Sequence, residues 1–373
     1  MTAPVQSSID RVQAWGLFFL WMALPAAAAP LDALLTALPE PAVSKGHVEI
    51  GSDHMNQRLD FFNIRDSHLL AAGTQAGDYH GGHLAGGWQF NDNLWLSGSL
   101  WQRNLNGLSG AYNFNTWQAS GLYRFLDGNK KIPSLALRLS AWGNEAGEVS
   151  SANICAAPVA NAPKTCQADA FLNSVKITNP SDQTLQADLV GTWNLSSATD
   201  ISVLLGAGTT ELSYGTLSGT TQRKGLLYQF SFIGNDIFGT TADGSSQFRE
   251  KASKYGVDVA KELAWRGHFV QAGINAVWRS GPWTWRAGYL FHTVQRDAID
   301  DILASRGWSV LTQIKSITLE LNHRFSPRLS AFVRSQLSDK LIFNDLPVAY
   351  NTFSSDLFGG RYSIYSFGLR YNW

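Results

Sequence analysis

Tyr365-Ser366-Phe367-Gly368-Leu369-Arg370-Tyr371-Asn372-Trp373 closes the chain, and its apolar residues fall on every second position. A period of two places Tyr365, Phe367, Leu369, Tyr371 and Trp373 on one face of a strand and Ser366, Gly368, Arg370 and Asn372 on the other. Large aromatics outside and small or charged residues inside suit a wall between lipid and water.

The same alternation recurs upstream. Leu84, Gly86, Trp88 and Phe90 pass through Asn91-Asp92-Asn93 into Leu94, Leu96, Gly98 and Leu100. Further rows are Trp117 to Phe125, Leu135 to Ala141, Leu185 to Trp193, Ile201 to Leu205, Val270 to Trp278, Trp283 to Phe291, Ile317 to Phe325 and Leu329 to Leu337. Lys45 to Met55 is a weaker first strand, and Leu226 to Ile233 and Tyr255 to Leu263 complete the set. The expected fold is an all-β, transmembrane, antiparallel up-and-down β-barrel of about 14 strands, with 12 the nearest alternative because 214–253 reads as strand or as loop. Short turns at 91–93, 127–131, 196–199, 280–282 and 326–328 fall at one end, and the connections 56–76, 147–182, 295–310 and 342–360 at the other. One irregularity is the long 234–253 link that 14 strands would put among the short turns.

Composition supports a membrane wall. Aromatics reach 12%, with 14 Trp, 11 Tyr and 20 Phe. Charged residues are 16%, against roughly 25% in soluble domains. Formal net charge is zero, so nothing points to nucleic acid as a partner. No segment of the mature chain is long and apolar enough for a transmembrane helix, which leaves a barrel. Arg11, the apolar Ala14 to Leu24, Pro25 and the small-residue run Ala26 to Ala29 make a secretory signal with cleavage near Ala28. The expected organisation is signal peptide 1–28, periplasmic lead-in 29–44 and barrel 45–373.

The closing row resembles the last strand of Gram-negative outer-membrane β-barrels, which commonly end in Phe or Trp. The resemblance implies an outer-membrane location and makes Tyr365, Phe367, Leu369, Tyr371 and Trp373 the signal for the barrel-assembly machinery, with outer-membrane lipid as surroundings. No subfamily is recognised, so no functional residue is carried over.

On the register of the apolar rows, Arg103, Arg124, Arg138, Arg286, Arg324, Arg334 and Arg370 point into the lumen, with Asp188, Asp258, Glu262 and Glu320. Ser97, Ser99, Ser140, Gly288 and Ser366 leave room beside them. Such a lining sets a field that selects solutes by charge, or pairs to hold a narrow interior shut. Cys155 and Cys166, the only cysteines, read as a disulfide closing the 147–182 connection. This loop and 214–253 are the candidate constrictions.

His80 and His83 differ by an odd number and take opposite faces of a strand, so no metal site is assigned. Asp53, His54 and His68 read as solvated residues at the first outer loop. No spacing singles out a nucleophile and base, His292 included, and no cofactor motif is present. Two functions are consistent with the sequence: a channel for small hydrophilic or amphiphilic solutes, or a non-conducting surface barrel whose long outer loops bind a partner.

Overall fold

The structure is a computed structural model that describes residues 45–55, 78–107, 110–129, 131–155, 158–159, 162–166, 171–255, 258–307, 310–339, 347–352 and 362–373. The signal peptide, the lead-in and His68 lie outside them.

The closed barrel consists of β1 Gly46–Met55, β2 Asp78–Asn91, β3 Leu94–Gly107, β4 Gly110–Leu126, β5 Ser134–Glu145, β10 Ser181–Asn194, β11 Thr199–Ser213, β16 Arg266–Ser280, β17 Trp283–Arg296, β18 Gln313–Arg324, β19 Leu329–Ser338 and β20 Tyr362–Asn372. All neighbours pair antiparallel, and β1 closes on β20 with Ile50 opposite Leu369. Lys45 N–H donates to Trp373 O at 2.8 Å, sealing the seam.

These are 12 barrel strands, the nearest alternative to the expected 14. Both surplus strands fall in one connection. Leu226–Ile233 is a strand, but in a second sheet. The described residues of Tyr255 to Leu263 form no strand: a 3-10 turn covers Ala252–Tyr255, and helix α1 covers Val259–Leu263. Lys261 interrupts the apolar alternation there, while Val259, Glu262 and Leu263 share one helical face and are buried. With these strands removed, 234–253 no longer joins the short turns.

The second sheet has the order β15–β14–β13–β12–β9–β6, from β6 Glu148–Cys155, β9 Phe171–Thr178, β12 Leu217–Arg223, β13 Leu226–Ile233, β14 Asp236–Thr241 and β15 Gln247–Lys251. Its β6–β9–β12 part repeats the neighbour order β5–β10–β11, because each strand continues a barrel strand past the long-connection end. Tight turns at Lys224-Gly225 and Gly234-Asn235 then add β13 and β14. Lys224, Gly225 and Gly234 have φ of 48°, 81° and 60°, the left-handed values such hairpins require. Val175, Ile177, Leu217, Phe230, Val259 and Leu263 form its core. Strands β7 Pro158–Val159 and β8 Ala162–Cys166, between β6 and β9 in the chain, make a separate small hairpin. The side chains of Cys155 and Cys166 lie outside the described ones.

Burial alternates as a membrane barrel demands. On β16, Val270, Ile274 and Trp278 are exposed, whereas Phe269, Gln271 and Asn275 are buried. Leu139, Leu185, Leu205 and Leu319 continue the exposed apolar band, and Trp88, Phe90, Phe125, Trp283, Trp285 and Phe325 ring its short-turn rim. Apolar wall and aromatic girdle together are the surface of a membrane-spanning barrel. In the closing row, Phe367, Leu369, Tyr371 and Trp373 are exposed in this band. Tyr365 departs from it: it sits at the far end of β20, opposite His54 and Ser335, and is buried.

Candidate functional site

Strand pairing brings opposite charges together in the lumen. Arg286, Glu320 and Arg334 are register partners on β17, β18 and β19, and Arg370 and Glu49 are partners on β20 and β1. Directly opposed residues on one face are close enough to pair. Arg334 donates from Nε and Nη2 to Glu320 Oε2 at 2.9 and 2.6 Å, and reaches Glu49 Oε1 at 3.2 Å. Arg370 donates to Glu49 Oε2 from Nε at 2.9 Å. Arg286 Nη1 is 3.4 Å from Glu320 Oε1. Three guanidiniums and two carboxylates thus form one network across five adjacent strands.

The network continues through His83, which lies between Glu49 at 3.2 Å and Asp53 at 2.8 Å and stacks on Trp101 at 4.3 Å. Asp53 is fully buried, which corrects its reading as a solvated residue: the β1–β2 register lays the His83 ring over Gly51, so both acids flank it.

The opposite wall carries a second, smaller cluster. Arg138 and Asp188 are partners on β5 and β10, and Arg138 Nε donates to Oδ2 at 2.9 Å. Gln186 and Gln271 also donate to this carboxylate, each at 2.8 Å. Gln271 reaches it from β16 across β11, and Gly206 is what permits the crossing. A Cβ on Gly206 would lie 1.9 Å from Asp188 Oδ1. Gly206→Ala is therefore expected to cost roughly 1–3 kcal/mol of stability through overpacking, read as a lower urea midpoint of the folded barrel.

The other sequence candidates are placed less centrally. Arg103 is buried against Trp101, with its guanidinium 4.8 Å from the ring centroid. Arg124 sits at the short-turn rim, donating to Asp92 O at 2.7 Å and pairing with Asp127 at 2.9 Å. Arg324 is exposed at the last position of β18, on the same rim. Asp258 and Glu262 leave the lumen-facing set because their segment is helical. Asp258 is the N-cap residue of α1, while Glu262, on α1, is buried in the β11–β16 connection.

Among the described residues the lumen is filled by its own wall and by the β19–β20 connection, with Val149 of the 147–182 connection packed against the cluster at the mouth. Ser99, Ser140, Gly288 and Ser366 are buried, so neighbouring side chains occupy the room that their small size leaves. Trp142, Val190, Leu204 and Leu290 pack together inside the barrel. At the long-connection end, Pro347 to Thr352 of the β19–β20 connection forms a strap that reaches β5, β10 and β11, half-way round the ring from its own strands. Val348 N–H donates to Asp182 Oδ2 at 2.7 Å, and Trp265 Nε1 donates to Tyr350 O at 2.9 Å. Thr352 Oγ1 donates to Glu262 Oε2 at 2.7 Å. Helix α2, Ile299–Ser305, is followed by Arg306, which holds the same Glu262 through two bonds of 2.7 Å. One carboxylate therefore ties three connections together.

Tyr350 and Val348 of the strap pack among Phe114, Leu212, Trp265 and Ile314, making an apolar stopper in the mouth. Arg296 lies over the Tyr350 ring at 4.3 Å and pairs with Asp300. The sequence carries no local sign of this strap, since every partner is distant in the chain. Among the described residues no group of three or more metal-ligating side chains occurs.

No protein-family model matches the chain, and no curated sequence does. Solved structures similar in outline include the translocator domain of autotransporter NalP from Neisseria meningitidis, 10% identical over 98% of each chain with a TM-score of 0.48. The NanC porin is 8% identical over 88% of this chain and 100% of its own, with a TM-score of 0.41. The toluene transporter TbuX of Ralstonia pickettii is 10% identical over 94% and 97%, with a TM-score of 0.39. At these scores none bears on what this lumen admits.

Proposed function

We propose that the chain is an exported outer-membrane barrel of a Gram-negative bacterium and works as a channel for small solutes, shut at rest and opened by displacement of the strap. The observation that carries this reading is the nature of the closure. The mouth is stopped by a peptide segment that is pinned through a few side chains and packs on wall residues such as Phe114, Leu212 and Ile314. Below the stopper, paired charges and polar side chains line the lumen beside the apolar cluster of Trp142, Val190, Leu204 and Leu290.

Twelve strands lie between the eight that side chains fill and the 16–18 of open porins, so a narrow route that one segment can block fits the size. On this reading the nine candidate residues divide into groups. Arg138, Asp188, Arg286, Glu320, Arg334 and Arg370 line the route, Arg103 lies near its outer end, and Arg124 and Arg324 mark its short-turn rim. The C-terminal row serves assembly, and a Cys155–Cys166 disulfide braces the region of the outer sheet. The outer sheet keeps a surface-binding role in play as the second reading, because its edge strands β6 and β15 stand beyond the barrel.

The test is solute uptake into proteoliposomes. A chain in which a short Gly/Ser turn replaces 340–361 is expected to swell at least about tenfold faster than wild type, the effect of removing roughly 1.4 kcal/mol or more of closure. Equal and negligible swelling of two correctly folded barrels would sink the channel reading and leave the outer sheet as the functional surface.

A further inference from the structure

On the β16–β18 wall, four buried uncharged side chains carry polar atoms without a protein hydrogen-bond partner; others, such as Gln186 Oε1 and Trp142 Nε1, lie elsewhere in the lumen. Asn275 has no hydrogen-bond partner at either Oδ1 or Nδ2, Thr318 has none at Oγ1, and His292 has none at Nδ1. Gln271 gives its Nε2 to Asp188, and its Oε1 has no partner. All four are more than nine-tenths buried. Such groups are rare in folded proteins, because each forfeits roughly 1–3 kcal/mol of hydration.

Their placement is not scattered. They occupy three successive strands, β16, β17 and β18. Gln271 and His292 are register partners, and Asn275 and Thr318 are the two partners of Gly288 between them. All face inward on the alternation that puts Ile274, Tyr289 and Ile317 on the lipid side. The ion pairs flank this patch: Arg286 and Glu320 come two positions along β17 and β18 from Gly288 and Thr318.

The unmet groups comprise donors and acceptors with no formal charge between them. Hydroxyl groups match that set, since each donates and accepts. A cation or an anion would satisfy only half of it. We propose that Gln271, Asn275, His292 and Thr318 form a binding subsite for a small, neutral, hydroxyl-rich solute, a polyol or sugar, within the channel route. The inference rests on the channel reading and adds the class of cargo. The incoming solute supplies hydrogen-bond partners to these groups once the strap moves.

The test compares swelling of proteoliposomes in xylitol, gluconate and glucosamine, with the strap-shortened chain and its Asn275→Leu/Thr318→Val derivative. Both substitutions keep the branching of the original side chains and remove unpaired groups, so the fold is expected to hold, checked by the heat-dependent gel shift of folded barrels. The proposal expects the parent to favour xylitol. The derivative should lose roughly tenfold or more of the xylitol rate, the effect of two hydrogen bonds, with gluconate and glucosamine little changed. A derivative that is more stable and admits all three solutes at the parent's rates would overturn the subsite while leaving the channel intact. A folded parent that admits none of the three would overturn the channel reading, and the subsite with it.

Discussion

Arg138→Met is expected to lower the unfolding free energy by roughly 3–5 kcal/mol, the cost of stranding a buried charge. Asp188 is fully buried and pairs with Arg138 across the β5–β10 ladder. Gln186 and Gln271 are neutral donors and do not replace the cation. The double variant Arg138→Met/Asp188→Asn removes both charges and should recover most of the loss, because a buried pair is worth far less than the penalty for halving it. Urea unfolding followed by tryptophan fluorescence measures each corner of the cycle. Arg138→Met with wild-type stability would show that Asp188 is reached by water, which a closed lumen does not allow.

The second large effect concerns the strap. Thr352→Val removes a hydroxyl bond to a carboxylate, worth about 1.5–3 kcal/mol, and Trp265→Phe removes a neutral bond worth about 0.5–1.5 kcal/mol. If the pins act independently, the pair shifts the balance of closed and open forms by roughly 2–4.5 kcal/mol. That corresponds to between about thirty- and two-thousand-fold in the ratio of the two states. Open probability in planar bilayers should rise accordingly, more for the double variant than for either single one. Glu262 keeps Arg306 in both, so the connections themselves stay assembled. An unchanged open probability would mean that the strap is a structural brace and that closure lies deeper, at Trp142, Val190, Leu204 and Leu290.

Much of the barrel was legible because lipid and lumen impose opposite chemistries on alternate residues. Rows such as Leu185 to Trp193 or Ile317 to Phe325 needed nothing beyond a period of two. The same register put Arg138, Asp188, Glu320 and Arg334 on the inner face, and pairing along the ladders did the rest. Failure came where that rule does not operate. Leu226–Ile233 alternates because it covers a small core in the outer sheet, and its eight residues fall just short of a membrane crossing. Tyr255 to Leu263 passed for a strand only by overlooking Lys261. The burial of Asp53 and the anchoring of Thr352 on Glu262 arise from contacts between segments far apart in the chain, for which no local pattern exists. The same holds for the unpaired atoms of Asn275 and Thr318, which become visible only when every neighbour is placed.

The most direct test of the account is single-channel recording in planar bilayers, with wild type and the strap-shortened chain measured side by side in the same salt. The account predicts a wild type that is silent or opens only briefly, and a shortened chain that conducts in steady, stepwise fashion. A wild type that conducts steadily at the level of the shortened chain would contradict it, because the strap would then close nothing.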